Sequence, residues 1–398
     1  MTTEREVQPF YRKSTWQGRP CYVLGNQRVC ITALMGGGHI ADMHILDADG
    51  RAGVNPLWQP PWRTIEPYEY KEKIHSSSYG SLVEGKLLSG LAGHSICLDY
   101  FGLPSAEEVA QGLSLHGEAP SSLWRLLRAG AQSEAASIEL LVQLPIAGLE
   151  FTRRMEVRSQ EPVVYFEETV RNRRKADHFF HWTQHVTLGA PFLDPRYART
   201  FISGDHGITS PDGYDEGRAV LRSNQKFRWP HAPKVNGGDV DLTRPFVKKG
   251  FGFVVTVRNN PRRKVSFVAA LNQKLALLIA YCFRTSDYPW TAVWEENMAI
   301  SAPPWKRRTQ ARGLEFSSTA LPLPRRRSFL GGPLYNTPNL ACVPAMGERK
   351  VQYIAVLAEV PRNFGHLRDI VVEGGGIRLK GNEKSMFIPS SASEQMVS

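Results

Sequence analysis

The stretch HWTQHVTLG (181–189) sets two histidines, His181 and His185, four residues apart. On a helix, imidazoles at that spacing share a face and can bind one metal ion. Singly, either can move a proton, because histidine titrates near neutrality. Carboxylates that could act with them lie downstream: Glu315 in LEFSST (314–319) and the pair Glu295–Glu296 in VWEEN (293–297). Neighbours on a strand face opposite ways, so only one of that pair can face a pocket, and Glu296 is the candidate. Arg312, three residues before Glu315, can hold a hydroxyl or a phosphate through its fork of N–H donors.

Which chemistry applies depends on the element beneath. Residues 178–188 are rich in aromatic and β-branched types and read as a strand. A strand sends His181, Thr183, His185 and Thr187 to one face, and Trp182, Gln184, Val186 and Leu188 to the other. The two histidines then lie about 13 Å apart, at ~3.3 Å per residue, and cannot chelate one metal. No HExxH helix occurs elsewhere. No metal is expected, and each histidine is either a hydrogen-bonded structural residue or a proton-transfer group.

The rest of the chain reads much the same way. Strand-like segments recur from CYVLG (21–25) to VQYIAVLAEV (351–360), separated by turn signals such as DADG (47–50), VNGGD (235–239) and RNNP (258–261). The best amphipathic helix is SAEEVAQGL (105–113), with Ser105 as its N-cap. The expected fold class is all-β, a large antiparallel structure of two stacked sheets. It is expected as one domain over 18–376, with an N-terminal extension (1–17) and a loose polar tail (377–398). No repeat of about 40–50 residues marks a propeller.

Composition narrows the function. No run of about 18 apolar residues exists to span a membrane, and the charged start MTTEREVQPFYRK lacks a secretory h-region. Five scattered cysteines without a CxxC argue for a reducing compartment, so the cytoplasm is expected. The formal charge of +11 collects in short clusters such as RNRRK (171–175) and PRRK (261–264). None is joined to a nucleic-acid module, so they read as solvated loop ends and no nucleic-acid partner is expected.

Five stretches, in order, resemble the galactose mutarotase-like superfamily, the aldose 1-epimerases: LMGGGHIADMHILDADGRAGVNPLW (34–58), SLHGEAPSSLW (114–124), LEFTRRMEVRSQEPVVYFEETVRN (149–172), HWTQHVTLG (181–189) and ARGLEFSSTALP (311–322). The resemblance implies a β-supersandwich that interconverts the α and β anomers of a free sugar without a cofactor. It implies His185 as general acid, Glu315 as general base and His116 as a second histidine on the sugar. Trp182 and Trp294 become candidates to stack on a sugar ring, and His94, Arg312 and Glu296 to bind it. The chain departs from the family where Val-Thr-Leu-Gly follows His185, and where SYGSLVEGKLLSGLAGH (78–94) replaces an arginine-bearing stretch.

The chemistry needs such groups. Opening a sugar ring takes a proton from the anomeric hydroxyl and gives one to the ring oxygen. A carboxylate and an imidazolium on opposite sides of the ring can do both, each contributing roughly 10²–10⁴. The departures keep two alternatives open, a catalytically silent carbohydrate-binding protein and a sugar-phosphate 1-epimerase. A glycoside hydrolase would want two carboxylates flanking the bond.

Overall fold

The computed structural model describes residues 8–47, 49–214 and 217–396. The fold is all-β and antiparallel, as expected. Its larger sheet has thirteen strands. From one edge they run Phe10–Trp16, Arg19–Gly25, Val29–Leu34, Ile40–Ile45, His94–Cys97, Thr183–Leu188, Gln310–Ser317, Trp290–Asn297, Phe251–Asn259 and Gly204–Thr209, then three short strands between Lys226 and Asp241. The second sheet has eight strands, centred on Glu348–Glu359, Val163–Asn172 and Leu149–Arg158.

The two sheets stack through their apolar faces. Ala135–Leu144 and Leu149–Arg158 alternate buried with partly exposed residues, so every second side chain enters the core. There Ile138, Phe151 and Phe166 of one sheet meet Ile31, Val186, Val293 and Leu314 of the other. Two ion pairs are sealed inside. Arg153 lies 2.7 Å from Glu168, and Arg312 donates through Nε to Glu295 at 2.9 Å, with all four side chains fully buried. Such pairs hold because the remaining polar atoms are satisfied too: Gln184, Tyr353 and Trp182 all donate to Glu168.

Both ends of the chain depart from expectation. Phe10–Trp16 is no extension; it pairs in full register with Arg19–Gly25. The signal was the two-residue turn Gln17–Gly18, both at positive φ, which suits a tight hairpin. Residues 1–7 lie outside the described residues. The expected tail likewise folds: Gly376–Gly381 pairs with Leu367–Glu373 and with Ser385–Pro389. The reason is a second apolar face. The eight-stranded sheet turns Tyr165, Leu278, Ala280 and Val356 away from the core, and Ile377, Leu379 and Ile388 cover them.

Helices are few. Ser105 caps Ala106–Ala110 in a capping box with Glu108, as its spacing predicts. Two more helices, Glu72–Tyr79 and Leu82–Leu88, carry too little periodicity to be read from sequence. They are held by packing of Tyr79, Leu87 and Leu88 against Trp58, Trp62 and Trp305. Through Trp294 and Ala311 in the same cluster, they cover part of the outer face of the large sheet. No helix among the described residues is long and apolar enough to cross a membrane.

Candidate active site

Three central strands bring the acid–base residues together. Thr183–Leu188 pairs with Gln310–Ser317 in a register that sets His185 directly opposite Glu315. Paired residues point to the same face, so both project away from the core, where Gln184, Val186, Leu314 and Phe316 point. His185 Nε2 lies 3.2 Å from Glu315 Oε1. The two are not aligned as a hydrogen bond, and Oε1 has no hydrogen-bonding partner although it is buried. On the other side of the imidazole, Nδ1 lies 3.1 Å from Thr187 Oγ1, which fixes the ring's rotation.

Small residues make room for the pair. Gly313 sits two positions before Glu315 on the same face, between Thr187 and Trp294 on the flanking strands. A Cβ at Gly313 would stand 2.3 Å from Glu315 Oε1, so the carboxylate needs glycine there. Ser95 pairs with His185 from the opposite side; its Oγ is buried without a hydrogen-bonding partner.

His116 enters from the loop above. It adopts φ +64°, followed by Gly117 at +80°, where a Cβ would stand 2.4 Å from the Leu98 carbonyl oxygen. This left-handed pair turns the imidazole inward, to 5.1 Å between its ring centroid and that of His185. His116 Nδ1 donates to the Phe101 carbonyl at 2.5 Å, so Nε2 carries the lone pair and can accept from a ligand hydroxyl. His181 serves this wall as a structural residue, because its Nδ1 accepts the Phe101 backbone N–H. Trp294 stands edge-on to His185 at 5.8 Å and donates to Tyr214 Oη. It remains partly exposed, as does His116.

Burial governs the protonation of the group. It raises the Glu315 carboxyl to about 8. It also pushes His185 well below the usual imidazole range, assisted by the neighbouring His116 ring. His116 falls to about 4 for the same reason, burial. The close His185–Glu315 contact is therefore a neutral acid and a neutral base at pH 7, not an ion pair. Desolvation disfavours two charges here. The proton that burial leaves on Glu315 thus stands beside a neutral imidazole nitrogen, 3.2 Å from Oε1.

His185, Glu315, His116 and Trp294 thus converge, and four other candidates do not. Trp182 and His94 lie in the core between the sheets: Trp182 donates to Glu168, and His94 contacts Gln184 and Tyr281. Alternation had put Trp182 on the face opposite His185, and that face is the sealed one. Arg312 is on the core side of its strand, held by Glu295, Thr200 and the Leu242 carbonyl, so it offers no phosphate contact. Glu296 shares the face of Trp294 but is occupied: it accepts from the Ala299 and Ile300 N–H groups and from Tyr214 Oη. Thr187, Gly313 and Ser95 were missed. Thr187 was within reach, two residues from His185 on one strand; the other two needed the strand pairing. Among the described residues, no cluster of three or more His, Cys, Asp or Glu is placed to hold a metal ion.

No family sequence model matches the chain, and no curated protein sequence does. Solved structures do match by shape. A proposed aldose 1-epimerase from Klebsiella pneumoniae superposes with a TM-score of 0.60 at 13% identity, over 88% of this chain and 87% of that one. A galactose mutarotase-like protein from Clostridium acetobutylicum gives 0.58 at 11% identity, over 89% and 99%. A galactose mutarotase related enzyme from Lactobacillus acidophilus gives 0.51 at 12%, over 85% and 98%. At such identities the agreement lies in the path of the chain, and the chain has the galactose mutarotase-like fold.

Proposed function

We propose that the protein is an aldose 1-epimerase-type isomerase, acting on a free sugar in the cytoplasm. One observation carries the reading: a buried imidazole and a buried carboxyl face each other at 3.2 Å beneath a partly exposed histidine. The two groups lie on one face rather than on opposite sides of a ring, and since the anomeric hydroxyl and O5 are both bonded to C1, a pair so placed can serve both. Glu315 takes the anomeric hydroxyl proton as C1–O5 breaks, and His185 gives a proton to O5. Rotation about C1–C2 and the reverse transfers yield the other anomer. In the empty site burial leaves the proton on Glu315. A sugar hydroxyl donating to the carboxylate favours its charged form and draws that proton towards His185. His116 Nε2 accepts from a second hydroxyl, and the Trp294 edge borders the ring.

The test is NMR exchange between α and β anomers of glucose, galactose and glucose 6-phosphate, with wild type beside His185→Asn and Glu315→Gln. The expected result is acceleration on at least one unphosphorylated sugar, lost in both variants by about 10²-fold or more. No acceleration on any sugar, with calorimetric binding that survives both substitutions, would instead establish a silent carbohydrate-binding protein.

A further inference from the structure

The second site lies away from the acid–base pair, where three parts of the fold meet. Strand Phe251–Asn259 of the large sheet ends there, the connection 260–264 leads to the second sheet, and Leu367–Glu373 of the small sheet packs alongside. Between them is a groove of about 690 Å³, lined by Arg228, Arg258, Arg262, Arg263 and Arg368 against two carboxylates, Asp205 and Asp369. The volume suits a small organic ligand, for which pockets run roughly 300–1,000 Å³.

The charges do not balance. Asp205 is taken by Arg228 at 2.5 Å and also touches His206. Asp369 is taken by Arg263 at 2.8 Å, with Lys380 Nζ at 3.8 Å. Arg258, Arg262 and Arg368 then have no carboxylate partner among the described residues. Arg258 is fixed in place, stacked over the Tyr335 ring and donating through Nη1 to the Tyr335 carbonyl at 3.0 Å, while its Nε is buried with no hydrogen-bonding partner. Arg262 and Arg368 are exposed, so solvent screens their repulsion, and what the groove offers an anion is a one-signed set of donors from two elements. Guanidinium forks match phosphate oxygens.

We propose that this groove binds a small ligand carrying two or more phosphate groups, spanning Arg258 on one wall and Arg262 and Arg368 on the other. The site is independent of the sugar chemistry above. It also gives the PRRK stretch (261–264) a role that solvated loop ends would not have. Because its walls come from separate sheets, an occupant ties the small sheet to the large one, and binding raises Tm.

Isothermal titration with sodium tripolyphosphate at low salt tests this, on the full chain and on Arg262→Gln/Arg368→Gln. Both of those side chains are exposed, so the variant folds; Arg258→Gln is a second variant, checked by circular dichroism. The expected result is saturable one-to-one binding, weakened at least tenfold in each variant, with a matching rise in Tm in the wild type only. No heat of binding up to millimolar tripolyphosphate would overturn the proposal. So would equal binding in wild type and variants. Binding of a 20-nucleotide duplex without tripolyphosphate binding would overturn it in favour of a nucleic-acid surface.

Discussion

Replacing Gly313 by alanine should separate activity from stability. Gly313 lies on a strand with ordinary backbone angles, so alanine fits its conformation. The new Cβ would stand 2.3 Å from Glu315 Oε1 and 3.2 Å from its Cδ, where ordinary contact begins at 3.4 Å. The side chain must therefore retreat by roughly 1 Å, and a shift of that size at a reacting group can cost about 10² in rate, or about 2.7 kcal/mol in the barrier. The atom displaced is the free end of a flexible side chain, so folding is barely affected. Alanine also restricts the unfolded chain, worth about 0.4–1 kcal/mol in favour of the fold. The assay is anomer exchange by NMR beside thermal unfolding. Gly313→Ala should lose about a hundredfold in kcat and change stability by no more than about 1 kcal/mol. In a Glu315→Gln background the same substitution should cost almost nothing further, since the group it displaces is already inactive. Exchange near the wild-type rate in Gly313→Ala would refute the placement of Glu315 as the reacting carboxyl.

Two further outcomes follow from the same geometry. Burial raises Glu315 from 4.5 to about 8, so the folded state holds a proton that the unfolded chain releases. Its contribution is fully present below pH 4.5 and is lost as pH rises towards 8, by up to ~1.4 kcal/mol per pH unit. Glu315→Gln stays neutral, so it should gain on wild type across that window; Tm at pH 5.5 and 8.5 checks this, and parallel profiles would contradict it. Arg312→Met should leave Glu295 buried and unpaired, costing about 3–5 kcal/mol in urea unfolding. Sugar affinity by calorimetry should be unchanged, and a tenfold loss would return Arg312 to the binding site.

Local alternation is legible in the chain itself, and through it much of the site. A period of two puts His185 and Thr187 on one face and Trp182 on the other, and excludes metal chelation by His181 and His185 on spacing alone. The turn chemistry of Gln17–Gly18 and the capping box at Ser105 are local too, because both depend on backbone preferences within four residues. What alternation cannot state is which of two faces is sealed. Trp182, His94 and Arg312 are as polar-tipped and as large as residues that bind sugars, yet a second sheet closes over them. The apolar stretch beyond 376 reads as the start of a tail, because the surface it covers is assembled from several strands of the second sheet, from Glu348–Glu359 nearby to Val163–Asn172 some two hundred residues away. The partnership of His185 with Glu315, across 130 residues of chain, is a matter of register. Register is fixed by which strands pair and which faces are buried, so it is settled only when the two sheets assemble.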